Sequence, residues 1–205
     1  NDVSYNKIIR QIEAFQVAVP SWALGTGGTR FGRFPAGGEP RNLEEKIEDV
    51  GLIHHITRAT NSISLHIPWD IPRDTAAIQQ LLAKNGLTID SVNSNTFQDQ
   101  SDQKYSYKFG SLCHTDDHIR QQAVDHNIEV VEHGIKLNSN VLTVWLADGS
   151  NFPGQHHFRR AFARTQNSLE QIYKAMPADW SMLIEYKPYE PSFYSMVIPD
   201  WGTSL

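Results

Sequence analysis

The sequence predicts an α/β protein built as a (β/α)8 TIM barrel, with only about the first five β/α units present. Three observations carry this. Apolar strand-like runs alternate with amphipathic helix-like segments five times along 205 residues. That order implies a parallel sheet with right-handed crossovers. A doubly wound open sheet shares the order, so the strand ends decide: Trp22, His66, Asn95, Trp145 and the Glu185/Lys187 pair all lie at or near C-terminal strand ends. Side chains from five successive strands converge when the strands curl about one axis, whereas an open sheet gathers its site at one switch point. Residues 1–205 read as a single domain, the N-terminal portion of a barrel that stops after its fifth strand. A complete barrel takes about eight strands and about 250 residues.

The elements follow in order. Residues 5–13 read as a short helix. Residues 14–22 form the first strand, ending Val19-Pro20-Ser21-Trp22, and a Gly/Pro-rich loop runs from Ala23 to Arg41. Asn42 caps the next helix, with Glu45 at the N3 position of a capping box. Leu43, Ile47, Val50 and Ile53 fall there at helical spacing. The second strand is 62–69. A helix over 75–85 stops at Gly86, a C-cap glycine. The third strand is 89–96. Thr115 is placed to cap a long helix whose first turn carries Asp116 and Asp117, favourable with the helix dipole. That helix is expected to bury Ile119, Ala123, Ile128, Val131 and Ile135. Residues 141–146 are the fourth strand. Phe158, Phe162, Leu169, Ile172 and Met176 stripe the next helix, and 181–189 form the fifth strand.

Hydrophobic residues make up 40 %, enough for a core, and the net charge is -5. No basic run reaches five residues, which argues against a nucleic-acid or anionic-membrane partner. No apolar stretch approaches the roughly 18 residues that span a bilayer. The N-terminus carries no signal pattern, and the first residue is not Met, so the chain reads as starting inside a longer product. A single cysteine, Cys113, leaves no internal disulfide and suits the cytoplasm.

The most informative stretch is Glu185-Tyr186-Lys187, where an apolar strand turns polar. Alternate strand residues share a face, so Glu185 and Lys187 point one way and Tyr186 the other. A carboxylate there can hold a divalent cation while an ammonium polarises a carbonyl; the plainer alternative is a surface ion pair. His66 is a candidate proton carrier, and Trp22, Trp69 and Trp145 are either pocket walls or barrel core. His114 and His118 have the spacing of a helical metal pair, but a helix cap at Thr115 accounts for the segment. Gly25-Thr26-Gly27-Gly28 lacks the Lys-Ser/Thr of a phosphate loop and serves a sharp backbone turn.

Several strings, in order, resemble a known family. They include Val17-Ala18-Val19-Pro20-Ser21-Trp22, Gly25-Thr26-Gly27-Gly28-Thr29-Arg30-Phe31 and Ser64-Leu65-His66-Ile67-Pro68-Trp69-Asp70. Further on come Asn93-Ser94-Asn95-Thr96-Phe97, Leu142-Thr143-Val144-Trp145, Asp148-Gly149-Ser150-Asn151-Phe152-Pro153-Gly154-Gln155 and Tyr189-Glu190-Pro191. Together they resemble L-rhamnose isomerase of the broad-specificity bacterial type, within the xylose-isomerase-like TIM barrels. Cys113 stands where that family is expected to have serine, and Tyr186 where it often has histidine.

The resemblance implies an aldose–ketose isomerase acting on L-rhamnose and L-rhamnulose, and on pairs such as allose and allulose, by a 1,2-hydride shift. It implies Glu185 as a metal-bridging carboxylate, Lys187 at the substrate carbonyl and His66 in ring opening. Trp22, Trp69 and Trp145 would line the pocket. Phe31 would reach into a neighbouring subunit's pocket within a homotetramer. The implied cofactor is Mn²⁺, or another divalent cation such as Co²⁺ or Mg²⁺, two per active site. Its remaining ligands lie beyond Leu205, so weak or no metal binding is expected of residues 1–205 alone. Two rivals stand beside this reading: a ketose 3-epimerase on the same barrel, working by proton exchange through paired carboxylates, and a half-barrel that only binds sugar or assembles with other subunits.

Overall fold

The computed structural model describes residues 4–24, 37–190 and 193–205. The Gly25–Gly28 turn and Phe31 fall outside them. Five strands make one parallel sheet: β1 (Ala18–Pro20), β2 (Ser62–His66), β3 (Thr88–Asn93), β4 (Val141–Trp145) and β6 (Ser181–Glu185). Their spatial order is β1-β2-β3-β4-β6. Neighbours in the sheet are therefore neighbours in the chain among these strands, and the order never reverses. A doubly wound sheet needs such a reversal; a barrel does not. The fold is α/β of the (β/α)8-barrel type with five units present. Two short strands, β5 (Gly149–Ser150) and β7 (Ser195–Met196), pair antiparallel beside the sheet.

Helices α2 (Leu43–Thr57), α3 (Thr75–Lys84), α4 (Asp117–Lys136) and α5 (Phe158–Ala175) return the chain between strands. The core lies between helices and sheet: Ile47 and Val50 of α2, Ile63 and Leu65 of β2, Ile78 of α3, Val92 of β3, Val130 of α4 and Leu142 of β4 are all buried. Asn42 caps α2 by accepting the Glu45 N–H at 2.9 Å. The Glu45 carboxylate reaches one residue further back than a capping box requires, accepting from the Arg41 N–H at 2.7 Å. Asp74 caps α3, and Gly86 supplies the positive φ (66°) just past that helix, where a side chain would be strained.

The structure corrects several expectations. Asp116, not Thr115, caps α4, its carboxylate accepting the His118 N–H at 2.8 Å. The buried face of α4 is Ala123, Val124, Asn127, Val130, Val131 and Gly134. Ile119 and Ile128 only flank the core, and Ile135 is 48 % exposed, because it sits one step round the helix from Gly134. Gly134 owns the inward position: an added Cβ would come within 2.5 Å of Trp180 and 2.9 Å of Val92. Phe158 and Phe162 of α5 are exposed, while Ile172 is buried. The strands are shorter than the apolar runs suggest. Pro68 and Pro188 lack the N–H that a ladder needs, and pairing of the fifth ladder strand ends at Trp145↔Glu185.

Strand β6 forms one edge of the sheet and leaves Leu183 exposed. A groove of about 590 Å³ beside it is lined by Phe162, Leu169, Tyr173, Met182, Ile184 and Ile198. The other edge is β1, and helix α1 (Tyr5–Glu13), which precedes it in the chain, buries no residue. No described helix is long and apolar enough to cross a membrane.

Candidate active site

Each ladder strand carries at least one side chain of the site to the same end of the sheet. β1 runs into a 3-10 turn, Ser21–Ala23, that carries Trp22. β2 ends at His66, and a turn closed by the Asp70 N–H on the His66 carbonyl (2.9 Å) presents Trp69. The segment after β3 carries Phe97, β4 ends at Trp145, and β6 ends at Glu185 with Lys187 just beyond.

These side chains touch in sequence. His66 stacks on Trp69, centroids 4.0 Å apart at 20°, and meets Trp22 edge-on at 5.6 Å. Phe97 stands edge-on to His66 at 5.6 Å and to Trp145 at 4.2 Å. The Lys187 ammonium lies 5.0 Å from the centre of the Trp145 ring. That ammonium sits 4.0 Å from a carboxylate oxygen of Glu185 and 4.0 Å from one of Glu190. A continuous aromatic wall thus runs from the imidazole to the ammonium. Glu185 and Lys187 meet as the strand alternation predicts, and Tyr186 packs towards the core.

His66 is 6 % exposed. Burial, then the nearby His126 and the Lys46 ammonium, push its pKa down to about 3. Its Nδ1 has no hydrogen-bond partner among the described residues. The imidazole is neutral at pH 7, so it can accept at one ring nitrogen and donate from the other. A long-lived imidazolium is disfavoured there.

Two contributors escaped the sequence reading. Phe97 joins the histidine and tryptophan ends of the wall; its only signal was membership of the Asn93–Phe97 string. Asp70, 1 % exposed, accepts the His66 backbone N–H at 2.8 Å, the Lys46 ammonium at 2.7 Å and the Ser21 hydroxyl. His114 and His118 part ways. His114 Nδ1 accepts the Asp116 N–H at 2.9 Å, and His118 stacks on Tyr105.

No protein-family model matches the chain. A probable sugar isomerase of Rhizobium meliloti (strain 1021) is 52 % identical over 202 residues, covering 98 % of this chain and 47 % of that protein. A probable sugar isomerase of Mesorhizobium japonicum matches to the same extent. The chain is similar in sequence to both of these proteins along nearly its whole length. It spans about half the length of the curated relatives it matches. Among solved structures, D-allulose 3-epimerase from Methylomonas sp. in complex with D-allulose superposes with a TM-score of 0.58 at 14 % identity. It covers 92 % of this chain and 55 % of its own. A D-tagatose 3-epimerase-like protein gives 0.60 at 12 % identity over 89 % of this chain and 55 % of its own. At such identities the likeness is one of fold alone.

A divalent cation such as Mn²⁺ wants about six ligands, largely oxygen. Among the described residues, no group of three or more His, Cys, Asp or Glu is placed to hold one. Glu185 offers one carboxylate, half-exposed at a strand end, so these residues alone do not fit a complete metal centre.

Proposed function

We propose that the whole protein is an aldose–ketose isomerase that interconverts L-rhamnose and L-rhamnulose, and related pairs, by a 1,2-hydride shift. The homology to probable sugar isomerases supports the reaction class. The observation that carries the reading is the wall running from a neutral, buried imidazole to an ammonium flanked by two carboxylates. The choice of rhamnose rests on the sequence strings quoted above.

The chemistry follows from these groups. A sugar ring opens when the anomeric hydroxyl loses a proton and the ring oxygen gains one; neutral His66 can take the first and return the second. In the open aldose, hydrogen leaves C2 with its electron pair and bonds to C1, while the O2 proton passes to O1. Negative charge grows on O1 as the hydride arrives. Lys187 is the donor aimed at that charge, and Trp145 and Phe97 exclude water from the migrating hydride. Glu185 would be one ligand of the Mn²⁺ that the family resemblance implies, and no group of three or more such donors is found among the described residues. A homotetramer with Phe31 at a neighbour's pocket belongs to the same proposal.

A ketose 3-epimerase is the second reading, favoured by the shared fold with D-allulose 3-epimerase. Turnover in D₂O separates them. The hydride shift yields ketose with almost no carbon-bound deuterium, whereas proton exchange places one deuterium per turnover on the epimerised carbon. Deuterium at C1 or C3 of the product, or no conversion of rhamnose at all, would sink the isomerase reading.

A further inference from the structure

We infer that Lys46, on helix α2, is a positioning residue for the ring-opening end of the site, acting through Asp70. This rests on the isomerase reading for its kinetic consequence, but its geometry stands alone. The Lys46 side chain is almost fully buried and its ammonium lies 2.7 Å from Asp70 Oδ1. Asp70 Oδ2 takes the His66 backbone N–H at 2.8 Å and the Ser21 hydroxyl. Ser21 opens the turn that carries Trp22. One carboxylate therefore ties the end of β1 to the end of β2, fixing both the histidine and the indole that meets its ring.

The chemistry of a buried ion pair explains why a lysine is needed. A carboxylate in the interior is costly without a cation. With a cation beside it, charge-assisted bonds from N–H and O–H groups are roughly twice as strong as neutral ones. Such a pair is a poor stabilising device, since apolar replacements are often neutral or better. What it supplies is direction: three donors from three elements converge on two oxygens. Burial disfavours a cationic imidazole at His66, and His126 from α4 and then the Lys46 ammonium add to it. Lys46 thereby sets where the imidazole sits, while burial is the main reason the ring is neutral.

The test uses the full-length protein. Lys46→Met removes the charge at similar volume, and Lys46→Arg restores it. Lys46→Met/Asp70→Asn leaves no unpaired buried charge if the single variant fails to fold. Val50→Ala, a core truncation on the same helix, matches the stability loss without touching the pair. Steady-state kinetics and an NMR titration of the His66 imidazole are read on each. The expected result is a kcat loss approaching about 100-fold, the scale of an ångström misplacement, with KM little changed. The His66 titration moves upward in Lys46→Met, both effects recover in Lys46→Arg, and neither appears in Val50→Ala. The double variant loses the same kcat while unfolding near the wild-type temperature. An unmoved His66 titration, wild-type kcat in Lys46→Met or the double variant, or an equal loss in Val50→Ala would overturn the inference. A wild type that does not isomerise rhamnose refutes the functional reading instead, and the titration still decides the positioning role.

Discussion

Replacing Lys187 by Met separates catalysis from stability at the centre of the proposed chemistry. The methionine keeps an unbranched side chain over the Trp145 face and deletes only the ammonium. The lost ion pairs are long, at 4.0 Å each, and Lys187 is 35 % exposed. The exposed Glu185 pair contributes about 1 kcal/mol or less, about 2–4 °C of Tm in a chain of this size, and the losses at buried Glu190 and over the Trp145 ring add to it. The kinetic effect is far larger if the ammonium meets the charge growing on O1. Removing one such preorganised donor costs about 2.7–4 kcal/mol, or roughly 10²–10³ in kcat. The two effects are read separately, stability as Tm and catalysis as kcat, and that separation makes the test decisive. Thermal unfolding and initial rates of rhamnose isomerisation, measured on one preparation, give both numbers. The expected outcome is a folded enzyme that binds sugar nearly as well and turns over at one part in hundreds. A kcat within about threefold of wild type, about 0.65 kcal/mol, would refute the role of Lys187 and with it the proposed mechanism.

Three further outcomes follow from the geometry. Gly134→Ala should lower Tm: helix propensity gains up to about 1 kcal/mol, but a Cβ at 2.5 Å from Trp180 overpacks by about 1–3 kcal/mol, so a raised Tm in thermal denaturation would contradict the close approach. Phe97→Ala should lose about 1–3 kcal/mol in urea unfolding, since ring pairs to Trp145 and His66 are worth about 0.5–1.5 kcal/mol each. Phe97→Leu should recover part of that loss, and an unchanged midpoint for Phe97→Ala would count against the wall. The third concerns pH. His66 titrates near 6.5 when unfolded and about 3 when folded, so the unfolded state binds the extra proton between those values. Its contribution to stability is complete above the upper value and is lost as pH falls through the window, by at most about 1.4 kcal/mol per pH unit. Urea titrations at pH 7, 5.5 and 4.5 should show a shallower loss in His66→Gln than in wild type; parallel curves would show that His66 does not carry the linkage.

Much of this architecture was legible because it is local. Strand–helix alternation, the Asn42 cap and the Gly86 stop are each decided within a few residues, and the structure has all three. Strand ends were overrun because apolar runs continue past the last ladder pair. Leu65-His66-Ile67-Pro68-Trp69 reads as one strand, yet Pro68 cannot donate and the chain turns at His66. The α4 face was misassigned for a related reason. A count of large apolar residues favours Ile135, while packing selects Gly134, whose lack of a side chain admits Trp180 and Val92.

The site divides along the same line. Residues whose chemistry shows in their own type, such as His66, Trp145 and Lys187, could be named from the sequence and are found in contact with the wall. Lys46 could not. A lysine on an amphipathic helix is ordinarily solvated, and nothing within its own helix distinguishes it from Glu45 or Glu48. Its meaning comes from Asp70, 24 residues away, and from the packing that brings α2 against the end of β2. The strand order permits what that carboxylate does. With β1 and β2 adjacent in a sheet whose order never reverses, their C-terminal ends lie side by side, and one carboxylate can hold both. In a doubly wound sheet, adjacent strands part at the switch point and the site opens between them. Here the adjacent strands are fastened at the point where the candidate site begins. The topology sets the two strand ends side by side, and Asp70, held by Lys46, ties them there.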